Sequence, residues 1–129
     1  MIALSATTLQ RLIALPFVTL GAWALLAPTS VQQLAIRPEA QDFSPVATLL
    51  MQCFGAQAIL CSLFILTSRF TRYSFLAYGI ALLPFFWFNY YFVFVMPLFT
   101  IGMMIDFVAN VGMLFLCLLG WRAAVAEGR

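Results

Sequence analysis

The sequence FFWFNYYFVF, residues Phe85–Phe94, decides the class of fold to which this chain belongs. Eight of its ten residues are aromatic, and Asn89 supplies its only side-chain amide. A water-soluble domain of 129 residues has little interior in which to bury so much ring surface. A lipid bilayer accommodates it, because tryptophan and tyrosine favour the boundary where one side of a ring is apolar and the other is wet. The stretch therefore predicts a membrane-embedded helix.

The composition of the whole chain points to the same environment. Hydrophobic residues make up 65% of the sequence and charged residues only 8%, whereas soluble domains carry about 25% charged residues. So few charged side chains cannot cover a water-facing surface, and we predict an integral membrane protein surrounded by membrane lipids. The net charge of +2 is too small to indicate a nucleic-acid partner.

The residues that commonly hold metals and cofactors are scarce. The sequence contains no histidine, which excludes haem ligation by imidazole, catalytic triads and the usual histidine-containing zinc sites. Cys53, Cys61 and Cys117 form no CxxC pair and lie in apolar runs, where cysteine usually acts as a small hydrophobic residue. We therefore predict no metal, no cofactor and no catalytic site in this chain.

Four apolar runs have the length of membrane-spanning helices, each near the ~20 residues needed to cross ~30 Å of hydrocarbon. We predict an all-α transmembrane four-helix bundle that forms a single integral membrane domain over residues 1–129. A short interfacial helix is predicted between the first and second spans. The spans cover residues 7–27, 45–67, 73–94 and 98–121.

Local signals predict where the first two spans begin and how the second is joined to the third. Thr7 and Gln10 have the spacing of a capping box, in which each side chain bonds a free backbone N–H at the helix start. Ser44 followed by Pro45 is typical of an N-cap with proline at the first helical position. The tight connection Ser68–Arg72 predicts an antiparallel hairpin of the second and third spans.

The longest polar stretch, Pro28–Ser44, separates the first two spans. Within it, Ser30 and Gln33 fit a second capping box, and apolar residues follow at helical spacing. We expect a short helix that lies on the membrane surface and is ended by Pro38.

The placement of the arginines predicts the orientation in the membrane. With four spans, both termini and the Ser68–Arg72 connection lie on the same side, whereas Arg37 lies on the other. The positive-inside rule assigns the arginine-rich side to the cytoplasm, so both termini are expected there. The arginines on that side are Arg11, Arg69, Arg72, Arg122 and Arg129.

Asp106 is the strongest candidate for a functional group within the membrane. A carboxylate at membrane depth is costly, so such residues usually pair, take up a proton or face a cavity. The spacing places Asp106 about two to three turns beyond Pro97, too deep for easy snorkelling to the headgroups. Asp106 either handles protons or orients a ligand inside the bundle, or it fixes the packing register of the helices through hydrogen bonds.

Four side-chain amides are candidates to join Asp106 in a polar seam between the helices. Two of them lie on the same span as Asp106 or on the preceding one, and two lie on the second span. Such groups either form interhelical hydrogen bonds, worth about 0.6–2 kcal/mol each, or bind the polar head of a lipid, sterol or quinone. The four residues are Asn110, Asn89, Gln52 and Gln57.

The aromatic stretch goes round a full helical turn, so part of it must touch lipid or another protein. As a belt it lies at the membrane boundary, and as a docking face it contacts a partner subunit, a quinone or a carotenoid. The two interpretations use the same rings. The interface candidates are Phe85, Phe86, Trp87, Phe88, Tyr90, Tyr91 and Phe92.

The segment MQCFGAQAIL, Met51–Leu60, carries two signals. Gly55 and Ala58, together with Ser62 beyond them, form a small-residue face that lets a neighbouring helix approach closely. The pair Phe54-Gly55 resembles an aromatic–glycine step in the second helix of the ergosterol-biosynthesis scaffold family. In layout the chain also resembles the DoxX-like families of small four-helix membrane proteins.

Two further features support this resemblance, and two depart from it. An arginine-containing connection follows the second span, and Arg122 closes the fourth. Gln52 stands where the scaffold family has an arginine, and the family's histidines are absent. The resemblance implies a non-catalytic tether that holds membrane enzymes together.

These observations predict a role without catalysis. The first interpretation is an accessory or scaffold subunit of a larger membrane protein complex, with other membrane subunits as partners. The alternative is a binder or carrier of a small hydrophobic ligand, a lipid, sterol, quinone or carotenoid, held within the bundle. Asp106, Asn110 and Asn89 would then surround the polar end of the ligand. A proton or ion pathway through Asp106 is a third interpretation.

Overall fold

The computed structural model describes residues 4–129, so Met1–Ala3 of the predicted domain lie outside the described residues. Within this range, four helical segments are long and apolar enough to cross a membrane. The fold is therefore all-α, as predicted, and has the character of a multi-pass membrane protein. The helices are α1 (Ala6–Leu26), α2 (Pro28–Ala35), α3 (Pro45–Thr67), α4 (Arg72–Tyr90) and α5 (Met104–Ala126), with a π-helical turn at Tyr91–Val95 and short 3₁₀ turns at Pro38–Ala40 and Ile101–Met103.

The start of α3 is the one that the sequence predicts. The hydroxyl of Ser44 accepts a hydrogen bond from the Ala47 N–H at 3.2 Å, and Pro45 is the first helical residue. Because this cap needs only residues next to each other in the chain, tertiary contacts do not alter it. The predicted range of the second span, residues 45–67, is confirmed.

The capping box predicted for α1 is wrong. Ser5, not Thr7, is the N-cap, and its hydroxyl accepts a hydrogen bond from the Thr8 N–H at 3.2 Å. The side chain of Gln10 does not cap the start of α1, because it bonds backbone groups at the end of α3. Its amide nitrogen donates to the Ile65 and Ser68 carbonyls, in the latter case at 2.8 Å.

Gln10 also joins α1 to the connection that follows α3. Its side-chain oxygen accepts a hydrogen bond from the Phe70 N–H at 3.0 Å, and the residue is only 2% exposed. One side chain thus satisfies several backbone groups that the end of a helix leaves free. Gln10 fastens α1 to the end of α3 and to the turn that leads into α4.

The capping box predicted at Ser30 and Gln33 is also wrong. Helix α2 begins at Pro28, and no side chain caps it. The Ser30 hydroxyl donates to the Ala27 carbonyl at 2.9 Å and accepts from the Trp23 indole N–H at 2.7 Å. Gln33 is exposed. Ser30 therefore holds α2 against the end of α1 instead of capping it.

The fourth span begins later than predicted, because residues 98–100 pair with the end of α2. Ile36 and Phe99 form an antiparallel bridge, flanked by hydrogen bonds from Arg37 N–H to the Leu98 carbonyl and from Thr100 N–H to the Ala35 carbonyl, both 2.9 Å. The helical turn starts only at Ile101, after the Thr100 cap.

This later start changes the depth of Asp106. The residue lies in the first turn of α5 and not two to three turns into a helix that begins near Pro97. At its other end, α5 continues beyond Trp121 to Ala126. The fourth span is thus displaced toward the C-terminus relative to its predicted range.

Helix α1 is central to the packing of the bundle. It packs along α3 on one side and against α5 on another, and α4 packs against α5. Gly21 of α1 and Gly55 of α3 allow a close approach: a methyl group built on Gly55 would lie 2.6 Å from the Gly21 carbonyl oxygen and 2.5 Å from the Leu25 nitrogen. The small-residue face predicted on the second span is confirmed, and Ser62 on it is buried.

Helices α3 and α4 follow each other in the chain but scarcely touch over the described residues. Each directs its small residues to another partner, since Gly55 faces α1 and Gly79 of α4 lies against Leu114 and Cys117 of α5. The prediction that the second and third spans pack as a hairpin is therefore wrong: the two helices are joined by a short connection but pack against other helices. A crevice between α3 and α4 results.

The ends of α1 and α5 meet on one side of the bundle. The Ala6 N–H donates to the Glu127 carboxylate at 2.9 Å, and Arg129 donates to the Thr7 hydroxyl at 3.0 Å while pairing with Glu127. The Gln10 contacts bring the connection between α3 and α4 to the same side. Helix α2 and the Ile36–Phe99 bridge lie at the opposite end.

Replacing Gln10 with leucine is expected to lower the free energy of unfolding by about 2 kcal/mol or more, because each buried group left without a partner costs about 1–3 kcal/mol. Leucine has a similar size but cannot bond the Phe70 N–H or the Ser68 carbonyl. Reversible unfolding in mixed detergent micelles measures the change. The control is Gln33→Leu, on the exposed side of α2. Equal stability of the two variants would contradict the role of Gln10.

Candidate functional site

Three polar side chains meet near the end of the bundle that carries α2. One carboxylate oxygen of Asp106, Oδ2, accepts hydrogen bonds from Asn89 Nδ2 at 2.9 Å and from Asn110 Nδ2 at 2.8 Å. Asn89 and Asn110 are each only 2% exposed, and Asp106 is half-buried. The structure therefore brings together three of the five residues predicted to form a polar seam. We call these three the polar cluster.

The positions of the three side chains follow from the two helices that carry them. Asp106 and Asn110 are one turn apart on the same face of α5. Asn89 lies in the last turn of α4, where its Nδ2 also donates to the Phe85 carbonyl at 2.8 Å. The chain then widens into the π-helical turn Tyr91–Val95, a type of turn that is frequent at functional sites.

Asn89 and Asp106 of the polar cluster form part of the wall of a cavity of about 530 Å³. This volume lies in the range of about 300–1,000 Å³ that is usual for small-molecule sites. Apart from Asn89, Asp106 and Gln32, every side chain that lines the cavity is apolar. The apolar residues are Val31, Ala35, Ile36, Ala47, Leu50, Met51, Phe54, Phe85, Phe88, Phe99 and Met103.

The cavity opens sideways through the crevice between α3 and α4. Leu50 and Phe54 of α3 and Phe88 of α4 line it and are 64%, 57% and 46% exposed, respectively. In a membrane-spanning bundle, such side chains face lipid. The mouth of the cavity therefore opens toward the hydrocarbon of the bilayer.

Helix α2 covers the end of the cavity nearest the membrane surface. Val31, Gln32 and Ala35 line the cavity from α2, and the Ile36–Phe99 bridge fixes its end to the chain before α5. The Gln32 side-chain oxygen accepts a hydrogen bond from the Asp42 N–H at 3.2 Å. Sequence reasoning missed Gln32, although its position between Val31 and Ala35 on a short amphipathic helix was an available signal.

The two predicted glutamines take different positions. Gln57 is exposed and lines a second cavity of about 140 Å³, together with Asp106 and Asn110. This cavity shares Phe54, Phe85 and Asp106 with the larger one. Gln52 instead donates to the Leu25 carbonyl of α1 at 3.3 Å. Gln57 is therefore near the polar cluster, whereas Gln52 bonds the backbone of another helix.

The aromatic stretch divides into three groups of rings. Phe86 is half-buried and contacts Phe107 of α5, and Phe92 contacts Phe99, with ring centroids 5.7 and 5.5 Å apart. Phe85 and Phe88 line the cavity. The outward group contains Trp87, which stacks on Tyr91, and also Tyr90 and Phe94.

Comparison with models of known protein families, with curated proteins and with solved structures gave no match for this chain. Within residues 4–129, no three side chains of histidine, cysteine, aspartate or glutamate lie close enough to hold a metal ion. What the arrangement offers chemically is an apolar cavity with one polar wall.

Proposed function

We propose that this chain is a non-catalytic membrane protein that binds a small hydrophobic molecule in the crevice between α3 and α4. The observation that carries this proposal is the position of Asn89 and Asp106, hydrogen-bonded to each other, on the wall of a largely apolar cavity. Cavities that are largely apolar and have a few convergent polar groups are the usual form of small-molecule sites. The apolar body of the ligand lies in the cavity and its polar end at the cluster.

The position of the cluster favours binding over a purely structural role. Polar groups that only fix the register of two helices lie between packed helices and satisfy each other. Here Asn89 and Asp106 line a cavity, and the side-chain oxygen Asn89 Oδ1 is buried with no hydrogen-bond partner among the described residues. A bound molecule supplies the missing partner.

Access from the membrane supports the same proposal. The mouth between α3 and α4 faces the hydrocarbon, while α2 covers the end toward the membrane surface. A molecule dissolved in the bilayer reaches the cavity without leaving the apolar phase. The lipids, sterols, quinones and carotenoids expected from the sequence all partition into that phase.

Replacing Ala47 with phenylalanine is expected to reduce the amount of bound molecule at least about tenfold. Ala47 is half-buried and lines the cavity from the first turn of α3, so a phenyl ring there takes up space that the ligand needs. The wild-type chain is purified from its own membrane in a mild detergent. Mass spectrometry of the extracted small molecules then measures the ratio of ligand to protein.

The matched control is Val46→Phe, one residue earlier on the exposed side of α3. This variant adds a ring facing lipid and should retain the ligand at the wild-type ratio. A wild-type protein that carries no molecule beyond the bulk lipids would contradict the proposed function. So would equal retention by the Ala47 and Val46 variants.

A second candidate is an accessory or scaffold subunit of a larger membrane complex. It is favoured by the outward group of rings, where Trp87, Tyr90 and Phe94 lie exposed on one side of α4 and the π-helical turn. The resemblance to the scaffold family around Phe54-Gly55 supports the same class of role. A membrane protein that co-purifies at a fixed ratio, and is lost on Trp87→Ala, would support this candidate.

We also propose that both termini are cytoplasmic. Five of the six arginines belong to the end of the bundle at which α1 begins and α5 ends. The positive-inside rule places that end in the cytoplasm. The mouth of the cavity then lies nearer the opposite leaflet, beneath α2.

A further inference from the structure

The buried oxygen of Asn89 defines the chemistry that the ligand must bring. Both N–H groups of its amide are used, by the Phe85 carbonyl at 2.8 Å and by Asp106 Oδ2 at 2.9 Å. The remaining group, Oδ1, is buried and accepts no hydrogen bond from the described residues. An oxygen in this position needs a donor, because an unpaired buried acceptor costs about 1–3 kcal/mol.

The orientation of the Asn89 amide is fixed by its neighbours. Rotating the amide by half a turn would place its oxygen against the Phe85 carbonyl oxygen and the Asp106 carboxylate, with no hydrogen between them. The rotated form therefore loses two hydrogen bonds and gains two repulsive contacts. The group of Asn89 that is left without a partner is therefore an acceptor and not a donor.

The charges around the cavity restrict the ligand further. Among residues 4–129, Asp106 is the only ionisable residue in the wall, and no arginine lines the cavity. The phosphate of a phospholipid or the carboxylate of a fatty acid would meet Asp106 with no opposing positive charge, which is unfavourable in an apolar site. A quinone or a carotenoid hydrocarbon carries no donor for Asn89 Oδ1. An alcohol carries one donor and no net charge.

We propose that the cavity binds a neutral lipid with a free hydroxyl group, which enters from the bilayer between α3 and α4 and donates a hydrogen bond to Asn89 Oδ1. This inference rests on the proposed function and specifies its ligand class. The apolar part of the lipid lies among Met51, Phe54 and Phe88. No covalent step is involved.

The test compares 1-hexadecanol with its methyl ether, in which a methyl group replaces the hydroxyl hydrogen and removes the donor. The purified full chain is reconstituted in lipid nanodiscs, and binding is measured by native mass spectrometry at equal mole fractions of probe in the membrane. The alcohol is expected to bind at least about tenfold more tightly than the ether, because only the alcohol makes the buried hydrogen bond to Asn89. Because both measurements use the wild-type chain, folding of a variant does not enter the comparison.

Asn89→Leu supplies the second measurement. In this variant the affinity for the alcohol should fall to that of the ether, while the affinity for the ether changes little. Thermal unfolding establishes that the variant is folded. If Asn89→Leu retains the preference for the alcohol, the assignment of the hydroxyl to Asn89 is overturned.

The remaining outcomes separate this inference from the proposed function. Equal binding of alcohol and ether, abolished by Ala47→Phe, would overturn the hydroxyl inference and leave the proposed function standing. Binding of neither probe, together with no molecule retained by the wild-type chain, would overturn both. Tighter binding of hexadecylamine than of hexadecanol would overturn the inference that the ligand is neutral.

Discussion

Replacing Gly55 with alanine is expected to destabilise the bundle by about 3 kcal/mol or more, at or above the upper end of the usual cost of overpacking. The added methyl group would lie 2.5 Å from the Leu25 nitrogen, 2.6 Å from the Gly21 carbonyl oxygen and 3.0 Å from the Ala24 carbonyl carbon. All three are backbone atoms, so no side chain can rotate away. Helices α1 and α3 must separate along their contact. Reversible unfolding in mixed detergent micelles measures the loss.

Gly112→Ala provides a control for the same chemical change. A methyl group built on Gly112 of α5 meets no atom of the described residues within 4 Å. Because alanine favours a helix over glycine by about 1 kcal/mol, this variant should be as stable as the wild type or slightly more stable. The two substitutions thus have opposite expected signs. A Gly55→Ala protein with wild-type stability would show that α1 and α3 do not pack through Gly21 and Gly55.

Replacing Asp106 with leucine is expected to reduce ligand retention at least about tenfold while the chain still folds. The substitution removes the only acceptor that the structure gives to Asn110 Nδ2 and one of the two that orient Asn89. Unpaired amides cost about 1–3 kcal/mol each. Insertion scales assign about 3 kcal/mol to an acid at the centre of a span, and removing Asp106 from the first turn of α5 recovers part of that amount. This gain offsets part of the cost of the unpaired amides, so the chain is expected to fold, and the main loss is in the geometry of the binding wall.

Asp106→Asn separates the geometry of the cluster from its charge. An asparagine oxygen has two lone pairs and can accept both amide hydrogen bonds that Asp106 Oδ2 accepts. Ligand retention should therefore remain within about threefold of wild type, well below the tenfold loss that 1.4 kcal/mol represents. Mass spectrometry of the extracted molecules measures it for both variants. If Asp106→Asn loses the ligand as completely as Asp106→Leu does, the charge itself is required. That result would favour the proton-pathway interpretation.

Signals confined to neighbouring residues predict the structure well. The Ser44-Pro45 start of α3 depends on one local hydrogen bond, and the range of that helix is as predicted. The length of the apolar runs likewise predicts four spans, because the thickness of the bilayer sets that length. The meeting of Asp106 and Asn110 follows from their spacing of one helical turn.

Features that depend on distant residues could not be predicted in the same way. Gln10 has the spacing of a capping residue, but the end of α3 and Phe70 take its side chain. The start of the fourth span is set by pairing between Ile36 and Phe99, which lie far apart in the sequence. In both cases the local sequence pattern favours one structure, and hydrogen bonds to distant residues impose another.

The crevice between α3 and α4 is the most consequential feature that the sequence does not predict. A tight connection normally brings two helices together, but here the closest contact of α3 is with α1 through Gly55 and Gly21. The choice between two possible partners for one small-residue face depends on the whole bundle. For this reason the sequence indicates Asn89 and Asp106 as candidates but does not predict the crevice between α3 and α4.

The most direct measurement is a cryo-electron microscopy structure of the chain in lipid nanodiscs, with a bound antibody fragment to provide size. We expect α3 and α4 to remain apart, with an elongated density between Phe54 and Phe88 that ends within hydrogen-bond distance of Asn89. Close packing of α3 against α4, or a cavity filled by the protein's own side chains, would contradict the binding function.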